Sequence, residues 1–355
     1  MKNKIDIKLA VSFCLFCLIA LTAVSLVLWQ GLRPFFVSEK ISIILSEKPK
    51  ACALYRLLDG VCLGDGETEK YPIAVMIDNK YEARPWSGLS FAGLVYEAPV
   101  EGGITRFLAV FSTDRTIDKI GPVRSVRPYF IDWAMDIGAM LFHVGGSPEA
   151  LGIINGDADI KQFDLDQYFG GVYYWRSEDR IAPHNVYTSS ERLDKARVAK
   201  LSEEPTVDFA SWQFKEDVYE SERGEDGATI KIEFSNSSTY DADWTYDRNK
   251  NIYIRQDGEL AAQDLDGSLI IAKNIAVLEA DILIIDSMSR RKITTIGSGY
   301  ALIFQDGKKI EAVWEKDDRW NRLRFYDKNG DEIRFNRGTT WVEVMSDLEK
   351  VVGSM

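Results

Sequence analysis

The sequence predicts an α/β extracytoplasmic domain followed by a smaller β-rich domain, both preceded by one transmembrane helix. Three observations support this fold class. Residues Leu9 to Trp29 form an uncharged, almost unbroken apolar run. Strand and helix patterns alternate between residues 51 and 201, as in α/β domains. Short strand patterns separated by tight-turn pairs follow residue 229, as in β-rich domains. We therefore divide the chain into a cytoplasmic tail (1–8), a transmembrane anchor (9–29), a juxtamembrane linker (30–50), an α/β domain (51–201), an acidic linker (202–228) and a β-rich domain (229–355).

The apolar run is long enough to cross a membrane. Its 21 residues would span about 31 Å as a helix. Lys2, Lys4 and Lys8 precede it, so the positive-inside rule leaves the N-terminus in the cytoplasm and the bulk of the chain outside. We expect a single-pass protein of the cell membrane. The alternative is a cleaved signal peptide, with Ala23-Val24-Ser25 as its cleavage site.

The four cysteines fall into two pairs. Cys14 and Cys17 lie inside the apolar run, where they read as small apolar residues. Cys52 and Cys62 lie on the extracytoplasmic side, where thiols oxidise. A disulfide between Cys52 and Cys62 is the favoured interpretation, and two free thiols are the alternative.

The α/β domain begins with a continuous apolar strand and alternates from there. Pro128 to Ala139 reads as a helix because its apolar residues recur at helical spacing. A second helix opens at Ser147-Pro148-Glu149, with Ser as its cap and Pro at its first position. The predicted strands of this domain are Ile73 to Ile77, Leu94 to Val100, Ile104 to Phe111 and Leu141 to Val144.

Composition excludes several function classes. The net charge is -12, from 55 acidic and 43 basic residues, and no basic stripe is present. Nucleic acid is therefore not an expected partner, because phosphate neutralisation needs clustered Lys and Arg. Two histidines and four cysteines exclude a His-rich metal site, and no metal is predicted. No P-loop, GxGxxG or HExxH motif occurs, so no cofactor is predicted.

A basic segment leads into the first helix. Arg124, Ser125 and Arg127 precede Pro128, so they lie around a helix N-terminus, which favours anions. Arg106 adds a charge within an apolar strand, and Arg180 is a further candidate. The alternative is that these arginines form ion pairs with acids such as Glu97 or Glu101.

Both histidines lie beside turn motifs. His143 ends a strand and is followed by Gly145, Gly146 and Ser147; His184 precedes Asn185 in a loop. The Gly-Gly turn could place backbone N–H groups against an anion, so Gly145, Gly146, Ser147 and Asn185 are candidate ligand-binding residues. If the protein is an enzyme, His143 or His184 would act as general acid or base. Asp78, Glu97 and Glu101 are the possible carboxylate bases or ion partners. Ser147 is not a nucleophile elbow, because Glu149 stands where G-x-S-x-G needs Gly, and it reads as a helix cap instead.

Several motifs together resemble the YerB-like family of bacterial envelope proteins. They are PIAVMIDN (72–79), ARPWSGLSFAGLVYEAPVEGGITRFLAVF (83–111), KIGPVRSVRPYF (119–130), HVGGSPEA (143–150) and APHNVYTS (182–189). The segments 297–314 and 324–344 look like that family's smaller C-terminal domain. The resemblance implies a two-domain envelope protein whose domain has no assigned function. Members are often described as lipoproteins, but this sequence has no convincing lipobox.

Three function classes follow. The favoured one is recognition of an anionic envelope ligand, a glycan phosphate or a carboxylate, by Arg106, Arg124, Arg127, Arg180 and the two histidines. The second is a hydrolase or transferase acting on an envelope glycan or phosphodiester. The third is a structural scaffold. Convergence of the histidines and arginines supports binding or catalysis, and scatter supports the scaffold. We expect Arg124, Arg127, His143 and His184 to border one cleft.

Overall fold

A computed structural model describes residues 52, 54–64, 66–112, 115–201 and 209–354. Residues Cys52–Met355 form one compact unit. The predicted anchor, Leu9 to Trp29, lies outside the described residues. Within the described ranges, no helix combines the length and apolar character needed to cross a bilayer.

The described unit is rich in short strands. The helices are α1 (Pro128–Met135), α2 (Pro148–Gly156), α3 (Ala158–Lys161) and α4 (Ser190–Lys200). The strands of the first half are β1 (Ile73–Asp78), β2 (Leu94–Pro99), β3 (Thr105–Phe111), β4 (Met140–His143), β5 (Asp164–Asp166), β6 (Trp175–Arg176) and β7 (Val186–Tyr187). The later strands are β8 (Gln213–Lys215), β9 (Thr229–Ile232), β10 (Ala242–Asp247), β11 (Ile252–Asp257), β12 (Leu260–Ala261), β13 (Ile271–Ala272), β14 (Asn274–Glu279), β15 (Ile282–Ile284), β16 (Arg291–Ile293), β17 (Gly297–Gln305), β18 (Lys308–Lys316), β19 (Arg324–Asp327), β20 (Arg334–Asn336), β21 (Thr340–Met345) and β22 (Val351–Gly353).

One ten-stranded sheet contains strands from both halves of the chain. Its order is β19-β18-β17-β14-β21-β2-β3-β1-β4-β5. The halves meet where β2 runs parallel to β21, with Glu97 opposite Glu343. In the first half, β1 is antiparallel to β3 and parallel to β4. The carboxyl ends of β1 and β4 therefore lie at the same edge of the sheet.

Apolar side chains cover both faces of this sheet. Successive residues of a strand point to opposite faces. In β1, Ala74 and Met76 join a core with α1 and α2, whereas Val75 and Ile77 join a core with the second sheet. That sheet has the order β12-β11-β10-β9-β22, with β13 also paired to β11. Residues buried on both faces explain the continuous apolar pattern of β1.

The predicted elements differ from the structure at three places. The first helix ends at Met135 rather than Ala139, because Gly138 adopts a φ of 59° and the chain turns. The segment 202–228 was expected to be a linker, but its strand β8 pairs with β20 and its Trp212 is buried. Strand β14, central in the large sheet, was not predicted.

Cys52 and Cys62 form a disulfide. Their Cα atoms are 5.8 Å apart, and the bridge closes a loop with a sequence separation of 10. The loop lies at the start of the compact unit, where residues 55 and 62 also pair as an isolated bridge. The disulfide therefore fixes the first residues of the compact unit to the turn that follows them.

Candidate functional site

The segment from Ile120 to Arg127 crosses the carboxyl edge of the sheet. Arg124 N–H donates to Met76 O of β1 at 2.9 Å, and Val126 N–H donates to Gly145 O after β4 at 3.0 Å. A further backbone bond joins the segment to β7. These bonds fix where Arg124 and Arg127 leave the backbone, just before α1 begins at Pro128.

Asp78, His184 and Arg124 meet at this edge. Asp78 Oδ2 lies 2.6 Å from His184 Nδ1 and 3.0 Å from Arg124 Nε. Burial raises the pKa of Asp78, but the hydrogen bond from His184 and the charges of Arg106 and Arg124 lower it more, so its pKa is below the ordinary value. Asp78 is thus ionised at neutral pH, and its Oδ2 accepts a hydrogen bond from Nδ1–H of His184. Within the described ranges, no hydrogen bond involves Nε2 of His184.

Arg106 lies beside this group and is almost fully buried. Arg106 of β3 lies directly opposite Asp78 of β1 in the strand register, and its Nη1 donates to Ser125 O at 2.8 Å. Its Nε is buried without a hydrogen-bond partner. Burial lowers the pKa of Arg106 to about 10, and the charges of Arg127 and Arg124 contribute in the same direction. Arg106 therefore stays charged at neutral pH with an unsatisfied donor, which is an unfavourable arrangement for a protein without a ligand.

Arg127 has a carboxylate partner. Its Nε and Nη2 donate to the two oxygens of Glu101 at 2.6 and 2.7 Å. Burial raises the pKa of Glu101, but this hydrogen-bonded pairing outweighs it, so the pKa of Glu101 is lowered. The ion-pair alternative therefore describes Arg127, and Arg124 is likewise ion-paired, with Asp78. We call Arg106, Arg124 and Arg127 the arginine cluster; with Asp78 and Glu101 it carries a net charge of +1.

His143 is not part of this group. It is fully buried, with Nε2 2.7 Å from Asp164 Oδ1 and Nδ1 2.8 Å from Gly145 O. Both ring nitrogens are engaged, so this histidine holds β4 to β5. The expectation of one cleft bordered by both histidines does not describe the structure, because His143 points into the core.

The Gly-Gly-Ser turn after β4 has structural partners. Gly145 N–H donates to Asp166 Oδ1 at 2.9 Å, and Ser147 caps α2 by accepting from Ala150 N–H at 3.3 Å. A Cβ on Gly146 would lie 2.9 Å from a side-chain carbon of Val126. Gly146 therefore permits the close approach of the Arg124 segment.

Asn185 and Arg180 organise the loop that carries His184. Asn185 Oδ1 accepts from Arg176 at 2.8 Å. Arg180 donates to Glu82 O at 3.0 Å and Pro85 O at 2.6 Å. These contacts join the loop to the residues that follow β1 and place His184 over Asp78.

A second charged cluster, not predicted from the sequence, lies inside the protein. Arg255 donates to Glu97 Oε2 at 2.7 Å, and its Nη1 is 3.7 Å from Glu343 Oε1. Both carboxyl groups are fully buried, and Arg255 lies 5.0 Å from the Trp341 ring. Burial and the neighbouring charge of Glu97 raise the pKa of Glu343 well above its ordinary value. The sequence does contain a signal for this cluster, because Glu97, Arg255 and Glu343 each lie among apolar residues of a strand.

Arg124 and Arg127 of the arginine cluster reach the surface, whereas Arg106 is buried. A cavity of about 630 Å³ lies elsewhere, and its lining includes Arg56, Cys62, Phe91 and Thr339 but none of the cluster. The Arg124 side chain is 22% exposed, so a ligand can reach it from solvent. No set of three or more His, Cys, Asp or Glu among the described residues is placed to hold a metal ion.

Comparisons with known proteins decide the family. The N-terminal domain of the protein family of unknown function DUF3048 matches residues 59–203, and its C-terminal domain matches residues 230–342. The chain belongs to the DUF3048 family. It is 33% identical over 289 residues to YerB of Bacillus subtilis (strain 168), which is named as a candidate lipoprotein. The matched region covers 79% of this chain and 83% of that protein.

A crystal structure of YerB from Bacillus subtilis matches the fold. Its TM-score is 0.75 at 30% identity, over 85% of this chain and all of that one. The resemblance to YerB-like proteins is confirmed, and the chain is a two-domain, sheet-rich member of this family.

Proposed function

We propose that this DUF3048 protein binds an anionic cell-envelope ligand at the arginine cluster. The observation that carries the proposal is Arg106: a buried, charged guanidinium whose Nε has no partner. Arg124 and Arg127 lie close enough to lower its pKa further. An anion would relieve this repulsion and supply the missing acceptor.

The N-terminus of α1 adds to the attraction. This helix has eight residues, and no side chain caps its first turn. Its N–H groups and partial positive charge lie next to Arg127, the residue before the helix. The net charge of +1 in the cluster suits a monoanion, such as a phosphodiester of a glycan or a peptidoglycan carboxylate.

In this proposal the folded domains lie on the outer side of the cell membrane. The apolar run at residues 9–29 with its preceding lysines supports an N-terminal anchor with the bulk outside. The disulfide suits an oxidising compartment. The name of the relative YerB describes a lipoprotein, which is also membrane-attached. Protease added to cells stripped of outer layers is expected to digest the domains; full protection would reverse this topology.

Catalysis is a second candidate function, favoured by the Asp78–His184 pair. In the tautomer that carries its proton on Nδ1, His184 donates to ionised Asp78, and Nε2 is left to act as a base. Nε2 would activate water or a hydroxyl beside an anion bound to Arg124. A His184→Asn variant that keeps ligand binding but loses hydrolysis of a phosphodiester probe would support this role. Equal, negligible hydrolysis by both proteins would reject it.

Calorimetric titration tests the binding proposal. The full chain in detergent is titrated with inorganic phosphate, a glycosyl phosphodiester and N-acetylmuramic acid. Losing a charge-assisted contact in Arg124→Ala is expected to weaken binding by about 1.5–3 kcal/mol. Because Arg124 also pairs with the buried carboxylate of Asp78, a lower melting temperature is expected too, and binding is compared at a temperature where both proteins are folded. Lys195→Ala, which removes an exposed charge on α4, is the matched control. Binding that the two variants weaken equally would contradict a specific site.

A further inference from the structure

A hairpin in the second half of the chain exposes apolar side chains on both of its faces. We define the apolar hairpin as residues 281–293, which contain β15 and β16. Leu283, Ile284 and Ile285 are consecutive and 60%, 59% and 46% exposed, and Met288 in the turn is 70% exposed. Since successive strand residues point to opposite faces, both faces are exposed at the tip, whereas Ile282 and Ile293 at the base pack against the core. Such a patch in a soluble unit marks an interaction surface.

Charged residues flank the apolar tip, three basic and two acidic. Arg290, Arg291 and Lys292 follow the turn, against Asp281 and Asp286. Asp286 is paired with Arg290 and accepts a hydrogen bond from Met288 N–H, so its charge is satisfied within the hairpin. Lys292 is exposed. The hairpin therefore combines an apolar tip with a net positive base.

This combination fits a lipid surface better than a protein groove. A groove would cover one face of a two-stranded hairpin, whereas the interfacial region of a bilayer surrounds both. Anionic headgroups complement Lys292 and Arg291. Residues 30–51 separate the predicted membrane span from the compact unit, a reach of at most about 75 Å when extended. The unit is therefore expected to stay near the membrane.

We propose that the apolar hairpin inserts its tip into the anionic surface of the membrane. Leu283, Ile284 and Met288 enter the headgroup region, and Lys292 contacts lipid phosphates. Arg291 Nε donates to Val100 O at 3.3 Å, which joins the base of the hairpin to the strand region of the first half. Insertion thereby orients the compact unit on the membrane.

Vesicle flotation tests this inference. A protease site placed within residues 40–50 of the full chain releases a fragment that contains residues 52–355, the compact unit. The released unit is expected to float with vesicles containing phosphatidylglycerol and to stay unbound with pure phosphatidylcholine. The triple variant Leu283→Ser, Ile284→Ser, Met288→Ser is expected to lose flotation at an unchanged melting temperature. Lys292→Ser is expected to weaken binding about fivefold.

Leu260→Ser with Val352→Ser is the matched control, since these apolar residues are 76% and 49% exposed elsewhere. The control is expected to float like the wild type. A wild-type unit that never floats, or a control that loses flotation as fully as the triple variant, would overturn the proposal. Sedimentation showing a dimer that only the hairpin variant abolishes, without flotation, would reassign the hairpin to self-association.

Discussion

Replacing Glu343 by Gln is expected to stabilise the protein, increasingly as pH rises. Burial and the charge of Glu97 raise the pKa of Glu343 above its ordinary value of 4.5, so the folded chain holds a proton that the unfolded chain releases. The stability of the wild type is therefore full below pH 4.5 and falls as pH rises towards the folded-state pKa. The slope is about 1.4 kcal/mol for each pH unit in that range. Gln keeps the shape of the neutral acid without this loss.

The neighbouring Glu97→Gln is the matched comparison. Glu97 accepts two hydrogen bonds from Arg255, at 2.7 and 3.2 Å, and is also bonded to Asn79 and Thr105. Removing its charge leaves a buried arginine without its close partner, which costs about 3–5 kcal/mol. Urea unfolding of both variants and the wild type at pH 5, 6, 7 and 8 measures the difference. The reasoning is refuted if Glu343→Gln is destabilised at pH 8 as much as Glu97→Gln, or if its advantage does not grow with pH.

Three further predictions concern stability. Cys62→Ser, which opens a loop of 10 residues, is expected to cost about 2–3 kcal/mol in urea unfolding, and reducing agent should affect only the wild type. His143→Ala is expected to cost about 3–5 kcal/mol, because it leaves a cavity and removes buried hydrogen bonds to Asp164 and Gly145 O, although Asp164 keeps its ion pair with Lys161; a melting temperature within error of the wild type would contradict this. Arg127→Ala is expected to cost about 1–2 kcal/mol, because Glu101 is only partly buried; a loss as large as that of His143→Ala would show a fully buried pair.

Local patterns predicted the strands and the first helix well. The apolar run at 73–77 corresponds to β1, and the run at 104–111 corresponds to β3. The helical spacing after Pro128 corresponds to α1. These elements are specified by nearby residues, so the spacing of apolar residues and the turn residues were sufficient to predict them. Strand β14 was missed because its apolar residues lie within a longer run of mixed character.

The shared sheet could not be predicted from local patterns. The pairing of β2 with β21 joins residues about 250 positions apart, and nothing in either strand identifies its neighbour. The same holds for Arg255, which reaches Glu97 from the second sheet. A charge inside an apolar strand signals a buried partner without naming it.

The candidate site was predicted in part. Arg124, Asp78, His184 and Arg106 meet because their segments all reach the carboxyl edge of β1 and the start of β3. His143 was expected there because it ends the parallel neighbour β4. Its side chain instead points into the core, since the period of a strand decides which face a residue takes.

The most direct test of anion binding observes Arg106 itself. The full chain labelled with ¹⁵N-arginine gives an Nε–H signal for Arg106, identified by its loss in Arg106→Lys. Because this N–H has no protein acceptor, a glycosyl phosphodiester or carboxylate that binds the cluster is expected to shift its signal saturably, with the same midpoint as in calorimetry. An unchanged Arg106 signal at ligand concentrations that saturate the calorimetric response would contradict the account.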